Sequence, residues 1–277
     1  MTTGILYIVA TPIGNLKDIT FRAIETLKSV DLIVCEDTRK SKVLLDHYQI
    51  KTKCISYHDH STQKDRERIM SFLQSGKRLA LISDGGTPLI SDPGFKLVRD
   101  CIQQNITVTP IPGASSVISG LSVAGIPTDN FLFLGFLPVK NKDRLAKYTL
   151  IKESMVTAVI LEAPSKLLAT LEEIRQNLGD IHCTLAKELT KLHETITYQP
   201  ISQHIEALQA NKIRGEYVII LEAVAKQEIT DEVLISELTE LLQKLSVKSA
   251  SEFLAAKYKM SKKHIYNIAL KFTHQSR

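Results

Sequence analysis

The chain has 277 residues, is 44% hydrophobic and 23% charged, and contains 12 Gly, 9 Pro, 4 Cys and no Trp. These values exclude collagen-like, disulfide-scaffold and disordered chains, and the length suits about two domains with cores of their own. The formal charge of +5 is unevenly spread: Lys244 to Arg277 carry eight Lys or Arg against one acid, Glu252, so this tail holds +7 and the remainder −2. A near-neutral body with a basic tail fits an enzyme that must find a polyanion.

Short apolar, β-rich runs alternate with segments of helical period up to about residue 225. Strands are expected at Ile5–Ala10, Leu32–Cys35, Lys53–Tyr57, Leu79–Ser83 and Ile106–Pro110. A second set is expected at Phe131–Phe136, Thr157–Leu161, Cys183–Ala186 and Tyr217–Leu221. Helices are expected between them, among others at Arg22–Val30, Asp65–Gln74, Phe95–Gln104, Lys166–Asn177 and Ile201–Gln209. Alternation of this kind predicts an α/β architecture with largely parallel sheets. Two prolines and a glycine in Pro110-Ile-Pro112-Gly113 interrupt the pattern and suggest a boundary. The expected divisions are 1–112 and 113–228, both α/β, followed by a basic helical region, 229–277.

In that last region Asp231 can cap a helix whose apolar stripe is Leu234, Leu238, Leu241, Leu242 and Leu245. Ser249-Ala-Ser-Glu252 has capping-box spacing and opens a second helix through about Tyr258. Ser261 can cap a third, to about Phe272. The last two resemble a helix-turn-helix, with Lys262, Lys263, Tyr266, Asn267 and Lys271 available to a nucleic acid. A small helical lid with a solvated basic face is the other reading.

The four cysteines, Cys35, Cys54, Cys101 and Cys183, are far apart and form no C-x-x-C pair, so neither a zinc site nor a disulfide framework is expected. No apolar run approaches the roughly 18 residues of a membrane span, and the first residues lack the basic segment of a secretory signal. The expected setting is a reducing cytoplasm, with no membrane.

Four loops fall at expected strand ends, where α/β proteins bind ligands. The first, Ala10-Thr-Pro-Ile-Gly-Asn-Leu16, matches neither the dinucleotide fingerprint nor a P-loop. The second, from Ile82 to Gly94, packs three Gly, two Pro and two Asp into thirteen residues directly after an apolar strand. Its glycines let backbone approach a ligand, its prolines stiffen the loop, and Asp84 can accept from an amino or hydroxyl group. The third, Pro110 to Ser116, opens a helix whose free N–H groups suit an acidic ligand group, or is simply capped by Ser115 or Ser116. In the fourth, Leu161 to Ser165, Glu162 is a ligand contact or an exposed strand-end acid.

With these loops in place the sequence resembles the tetrapyrrole methylase superfamily, and most closely its ribosomal branch, the 16S ribosomal RNA 2′-O-methyltransferases. The matching segments are LYIVATPIGNLKDIT (6–20), EDTR (36–39), ISDGGTPLISDPG (82–94), PIPGASS (110–116), KELTKLHETI (187–196) and RGEYVIILE (214–222). Two departures stand out. The usual D-A-G-T-P is Asp84-Gly85-Gly86-Thr87-Pro88 here, and E-S-P-H-R is Glu162-Ala163-Pro164-Ser165-Lys166, without its His and Arg. The second departure weakens any catalytic or RNA-binding role for Ser165 or Lys166. Corrin-type members carry a G-x-G-P-G-D-like first loop, which this chain lacks.

The resemblance implies a two-domain tetrapyrrole-methylase-like α/β fold with a small C-terminal helical extension. It also implies a homodimer with S-adenosylmethionine in the cleft. Carried over by residue, Pro12, Asp84, Gly86 and Thr87 would meet the cofactor from the first domain, and Ser115, Ser116, Glu162 and Leu221 from the second. The implied substrate is a decoding-centre cytidine (position 1402) of 16S ribosomal RNA in the 30S subunit. A small-molecule, corrin-type methyltransferase is the alternative.

A ribose hydroxyl is a weak acid, so a positioned base would help as its proton leaves. Glu36, Asp37 and Glu188 are the candidates. Arg39 can bind an RNA phosphate, or pair with the neighbouring acid to fix the turn. Lys262, Lys263 and Lys271 are the tail's candidate RNA contacts. His58-Asp-His60 has no third ligand near it and reads as a loop network or RNA contact, so no metal is expected.

Overall fold

All nine expected strands form, within one or two residues of the expected limits, in a computed structural model describing residues 4–58, 60–224, 231–258 and 260–275. In chain order the first part comprises β1 (Ile5–Val9), α1 (Phe21–Ser29), β2 (Leu32–Cys35), α2 (Thr38–His47) and β3 (Cys54–Ser56). It continues with α3 (Gln63–Gln74), β4 (Arg78–Ile82), α4 (Phe95–Gln103) and β5 (Thr107–Ile111). The strands make one sheet in the order β3-β2-β4-β1-β5, parallel throughout.

Apolar side chains fill both faces of this sheet, as a parallel sheet requires. One core holds Leu6, Val34, Leu73, Leu79, Leu81 and Leu97; the other holds Val9, Leu27, Ile33, Ala80 and Ile82. Each fully buried Leu or Ile contributes about 1.5–3 kcal/mol by leaving water. The central neighbours β1 and β4 release their loops side by side, which brings the first two candidate loops together.

The chain then forms α5 (Ser116–Val123), β6 (Phe131–Phe136), α6 (Asn141–Ser154), β7 (Thr157–Glu162), α7 (Leu167–Leu178) and β8 (His182–Lys187). β9 (Thr195–Pro200), α8 (Ile201–Gln209) and β10 (Tyr217–Leu221) follow. Their sheet runs β6-β7-β10-β8-β9. Here the expectation of largely parallel pairing is corrected. Only β6 and β7 pair parallel; β7 with β10, β10 with β8 and β8 with β9 are antiparallel.

The short link from β8 to β9 makes the reversal, since joining parallel strands needs a long crossover. β9 itself was not among the expected strands. It is an edge strand whose residues Thr195 to Tyr198 are all exposed, so it lacks a continuous apolar run. Val117 and Leu121 of α5 pack with Val159, Ala186, Val218 and Ile220 of this second sheet.

Contacts divide the chain into two compact units, Met1–Val224, which holds both sheets, and Ala225–Arg277. In the second unit α9 (Asp231–Leu242), α10 (Val247–Tyr258) and α11 (Lys262–Gln275) close on Leu234, Leu238, Ala250, Leu254, Ile265, Ile268 and Ala269. Leu245, placed in the apolar stripe from sequence, is exposed beyond the end of α9. α10 also begins earlier than its capping-box spacing suggested. Ser246 Oγ accepts from the Ser249 N–H at 3.2 Å, so the cap lies three residues before Ser249.

Candidate functional site

The carboxyl end of the first sheet and one end of the second enclose a cavity of about 750 Å3, within the roughly 300–1,000 Å3 range of small-molecule sites. Backbone bonds tie its lining loops together. Thr11 and Gly86 exchange two N–H···O bonds of 2.9 Å, tying the loop after β1 to the loop after β4. Gly86 has φ +89°, a conformation glycine adopts without strain. Thr87 Oγ1 donates to the Ala114 carbonyl at 3.2 Å and joins the third loop to the second.

Leu89 and Ser91, with φ of +73° and +65°, are held in left-handed backbone in this same loop. Strain of this kind concentrates at functional sites. Ser115 caps α5 and lines the cavity with Ser116 and Val117, the first residues of the helix, whose N–H groups lack intrahelical partners.

Asp84 lines the cavity too. Its Oδ1 accepts the Asp37 N–H at 3.2 Å and its Oδ2 accepts Lys40 Nζ at 2.7 Å. Lys40, missed in the sequence, lines the cavity directly after Arg39. Arg39 is 90% exposed at its side chain and makes a two-pronged bond to Asp37, Nη2 to Oδ2 at 2.8 Å and Nε to Oδ1 at 3.2 Å. That guanidinium holds the Asp37 carboxyl down at about 2. Asp37 also caps α2 by accepting the Arg39 N–H. The structural acid–Arg pair envisaged for this turn is therefore present.

The opposite wall explains itself through strand direction. Because β10 runs antiparallel to β7 and β8, its first residues reach the cavity beside their last ones. Tyr217 pairs with Glu162 and Lys187, and Val218 with Leu161 and Ala186. Tyr217, Val218, Leu161, Glu162 and Ala186 all line the cavity. Leu221 is a correction: at the far end of β10 it pairs with Ala158 and Cys183, is fully buried in the core and does not reach the cavity.

The other seven residues expected to meet a cofactor, Pro12, Asp84, Gly86, Thr87, Ser115, Ser116 and Glu162, all line this one cavity. Phe136, Lys191, Glu216, Tyr217 and Val218 line it without having been singled out.

None of the three candidate bases is among the lining residues. Glu36 and Asp37 are half-buried at the end of β2. Glu188, at φ +51°, accepts Lys191 Nζ and the Glu216 N–H, both at 2.9 Å, and Lys191 above all holds its carboxyl below the usual range. Lys191 also donates to Glu216 at 2.8 Å. Gly14 admits this lysine, since a Cβ there would stand 2.5 Å from Lys191 Cγ.

In the tail unit, Lys262 pairs with Glu252 and Lys257 with Glu237, so part of the basic charge is compensated internally. Lys263, Tyr266 and Asn267 are exposed along α11. The side chain of Lys271 lies outside the described residues. The rings of His58 and His60 are 6.2 Å apart. Among the described residues no group of three or more acids, histidines or cysteines is placed to hold a metal, and no helix is long and apolar enough to cross a membrane.

The sequence profile of the family described as Tetrapyrrole (Corrin/Porphyrin) Methylases matches residues 5–205. A Ribosomal RNA small subunit methyltransferase I of Haemophilus influenzae is 44% identical over 274 residues, 97% of either chain. This chain belongs to the tetrapyrrole methylase family, in the ribosomal RNA small subunit methyltransferase I group. Relatives of the same description in Synechocystis and Bacillus subtilis are each 42% identical, over 96% and 83% of this chain and 98% and 78% of theirs.

Solved structures share the family fold at much lower identity. A diphthine synthase superposes with TM-score 0.66 at 11% identity, over 79% of this chain and 90% of its own. A Thermus thermophilus uroporphyrin-III C-methyl transferase complexed with S-adenyl homocysteine gives 0.56 at 16%, over 80% and 98%. These superpositions leave about a fifth of this tetrapyrrole methylase family member uncovered.

Proposed function

We propose that this chain uses S-adenosylmethionine to methylate the ribose 2′-oxygen of a decoding-centre cytidine in 16S ribosomal RNA of the small subunit. In this reading it works as a cytoplasmic homodimer. The observation that carries the reading is the likeness, over nearly the whole length and tail included, to relatives named for small-subunit ribosomal RNA methylation. The division into 1–112, 113–228 and 229–277 belongs to the same reading: two halves enclose the cofactor and the tail meets RNA.

The residues present fit the cofactor. Asp84 and Glu162 offer carboxylates to its amino and hydroxyl groups, and the first N–H groups of α5 offer donors to its carboxylate. Gly86 and Pro12 supply a backbone surface without bulky side chains, and Val218 and Leu161 an apolar one. When bound, the sulfonium group supplies an already activated methyl.

The protein's remaining task is to bring the ribose oxygen in line and exclude water, which alone is worth several orders of magnitude in rate. A base matters as the hydroxyl proton leaves. Asp37 and Glu188 are held below the usual range by Arg39 and Lys191, which makes them poor proton acceptors. Glu36 is the candidate that remains, outside the cavity's lining residues as the other two are.

Arg39 and the exposed face of α11, with Lys263 and its neighbours Lys262 and Lys271, would grip phosphates. That contact carries a steep salt dependence, and deleting residues 225–277 should weaken RNA binding while sparing cofactor binding.

The test is transfer of labelled methyl from S-adenosylmethionine to 30S subunits taken from cells lacking the protein, with a corrin-type tetrapyrrole offered in parallel. Label at a 2′-O position of 16S RNA supports the reading. Label on the tetrapyrrole alone overturns it.

A further inference from the structure

Behind the cavity wall a chain of hydrogen bonds runs from Glu162 into the second sheet's helices. Glu162 is 4% exposed and lines the cavity, as does its neighbour Ala163. Its Oε1 accepts the Ala163 N–H at 2.9 Å and its Oε2 accepts the Thr170 hydroxyl at 2.7 Å. Thr170 Oγ1 in turn accepts Arg144 Nη2 at 3.2 Å. Thr170 has one hydroxyl proton, so donating it to Glu162 leaves the oxygen's lone pairs for Arg144 and fixes the direction of the relay.

Arg144 is itself buried on α6. Its Nε donates to Glu173 Oε2 at 2.7 Å, its Nη2 to Tyr148 Oη at 3.2 Å and its Nη1 to the Pro138 carbonyl at 3.4 Å. Pro138 lies two residues beyond Phe136, another lining residue. One guanidinium therefore reaches two separate pieces of the wall: the end of β7 through Thr170, and the segment leaving β6 directly.

We propose that Arg144, acting through Thr170, is a positioning residue that sets the Glu162 carboxylate and the Phe136 segment against the cofactor. The proposal rests on the reading that this cavity takes S-adenosylmethionine. Removing the hydroxyl leaves two buried polar groups short of a partner, and the carboxylate turns toward whatever donor remains. Arg144 and Glu173 carry the deeper half of the network and touch no ligand themselves.

Calorimetric titration with S-adenosylhomocysteine, alongside thermal melts of the same samples, tests this. Thr170→Val is expected to bind roughly tenfold more weakly. Thr170→Ser, which restores the hydroxyl, should bind like the parent. Tyr148→Phe removes the bonds that Tyr148 Oη makes to Arg144 Nη2 and to Glu173 Oε2 but keeps the Thr170–Glu162 bond and the Thr170–Arg144 bond, and should lower the melting temperature without moving affinity. Should Thr170→Val fail to fold, Arg144→Lys carries the same expectation, because a point charge replaces the planar fork.

Parent-like binding by folded Thr170→Val, or an equal loss in Tyr148→Phe, overturns the proposal alone. A parent protein that binds no cofactor overturns the reading of the cavity and the proposal together.

Discussion

The two sheets meet the same cavity in different ways. In the first, every strand runs in one direction, so all carboxyl ends and their loops crowd one edge, and the loops after β1 and β4 bond to each other through Thr11 and Gly86. In the second, β10 opposes its neighbours, and the wall alternates the last residues of β7 with the first of β10. The first sheet presents glycine-rich backbone to a ligand; the second presents strand side chains, Leu161, Glu162, Tyr217 and Val218. Strand direction, more than residue type, decides which end of an apolar run is functional.

The contrast between the two ends of β10 can be broken directly. Leu221→Ala should lose about 2–5 kcal/mol of stability in a denaturant titration, as a large-to-small change in a full core, and leave cofactor affinity of the folded protein intact. Val218→Ala should lose less, about 1–2 kcal/mol, but weaken cofactor binding. Reversed outcomes for the pair would place the functional end of β10 at Leu221.

On the first sheet, Gly86→Ala forces a Cβ into a left-handed conformation and should lower stability by about 1–2 kcal/mol, with a matching loss of cofactor affinity. Loss of stability without loss of affinity would separate this turn from the site.

The smallest effect is expected at Asp37. Its pairing with Arg39 lowers the carboxyl from near 3.8 to about 2. The stability it adds is present above the higher value and lost as the pH falls to the lower. Asp37→Asn should thus be slightly less stable than the parent at pH 6 and converge with it as the pH falls through and below 2, and should leave the neutral pH–rate profile unmoved. A shifted profile would restore Asp37 as a base.

Much of this was legible in the chain. Apolar runs such as Leu32–Cys35 and Tyr217–Leu221 announce buried strands, and the density of Gly, Pro and Asp from Ile82 to Gly94 marks the central loop. Seven of eight expected cofactor contacts share one cavity because they sit in loops tied to strand ends.

What stayed hidden depends on partners distant in sequence. The reversal of β10 has no local signature, so nothing in the sequence marks Tyr217 and Val218, and Leu221 came with the family resemblance rather than from the residues. Edge strand β9 buries too little to show a pattern. Lys40 and Lys191 read as ordinary surface lysines until Asp84, Glu188 and Glu216 are seen beside them. The same holds in the tail, where Lys262 looked available but pairs with Glu252.

The central claim is that the cavity serves methyl transfer to small-subunit ribosomal RNA, and mapping 2′-O-methylation along 16S RNA tests it most directly. Cells lacking this protein, and the same cells with it restored, are to be compared nucleotide by nucleotide. The account predicts a decoding-centre cytidine that loses its 2′-O-methyl group in the first and regains it in the second. An unchanged methylation map across the two would contradict it.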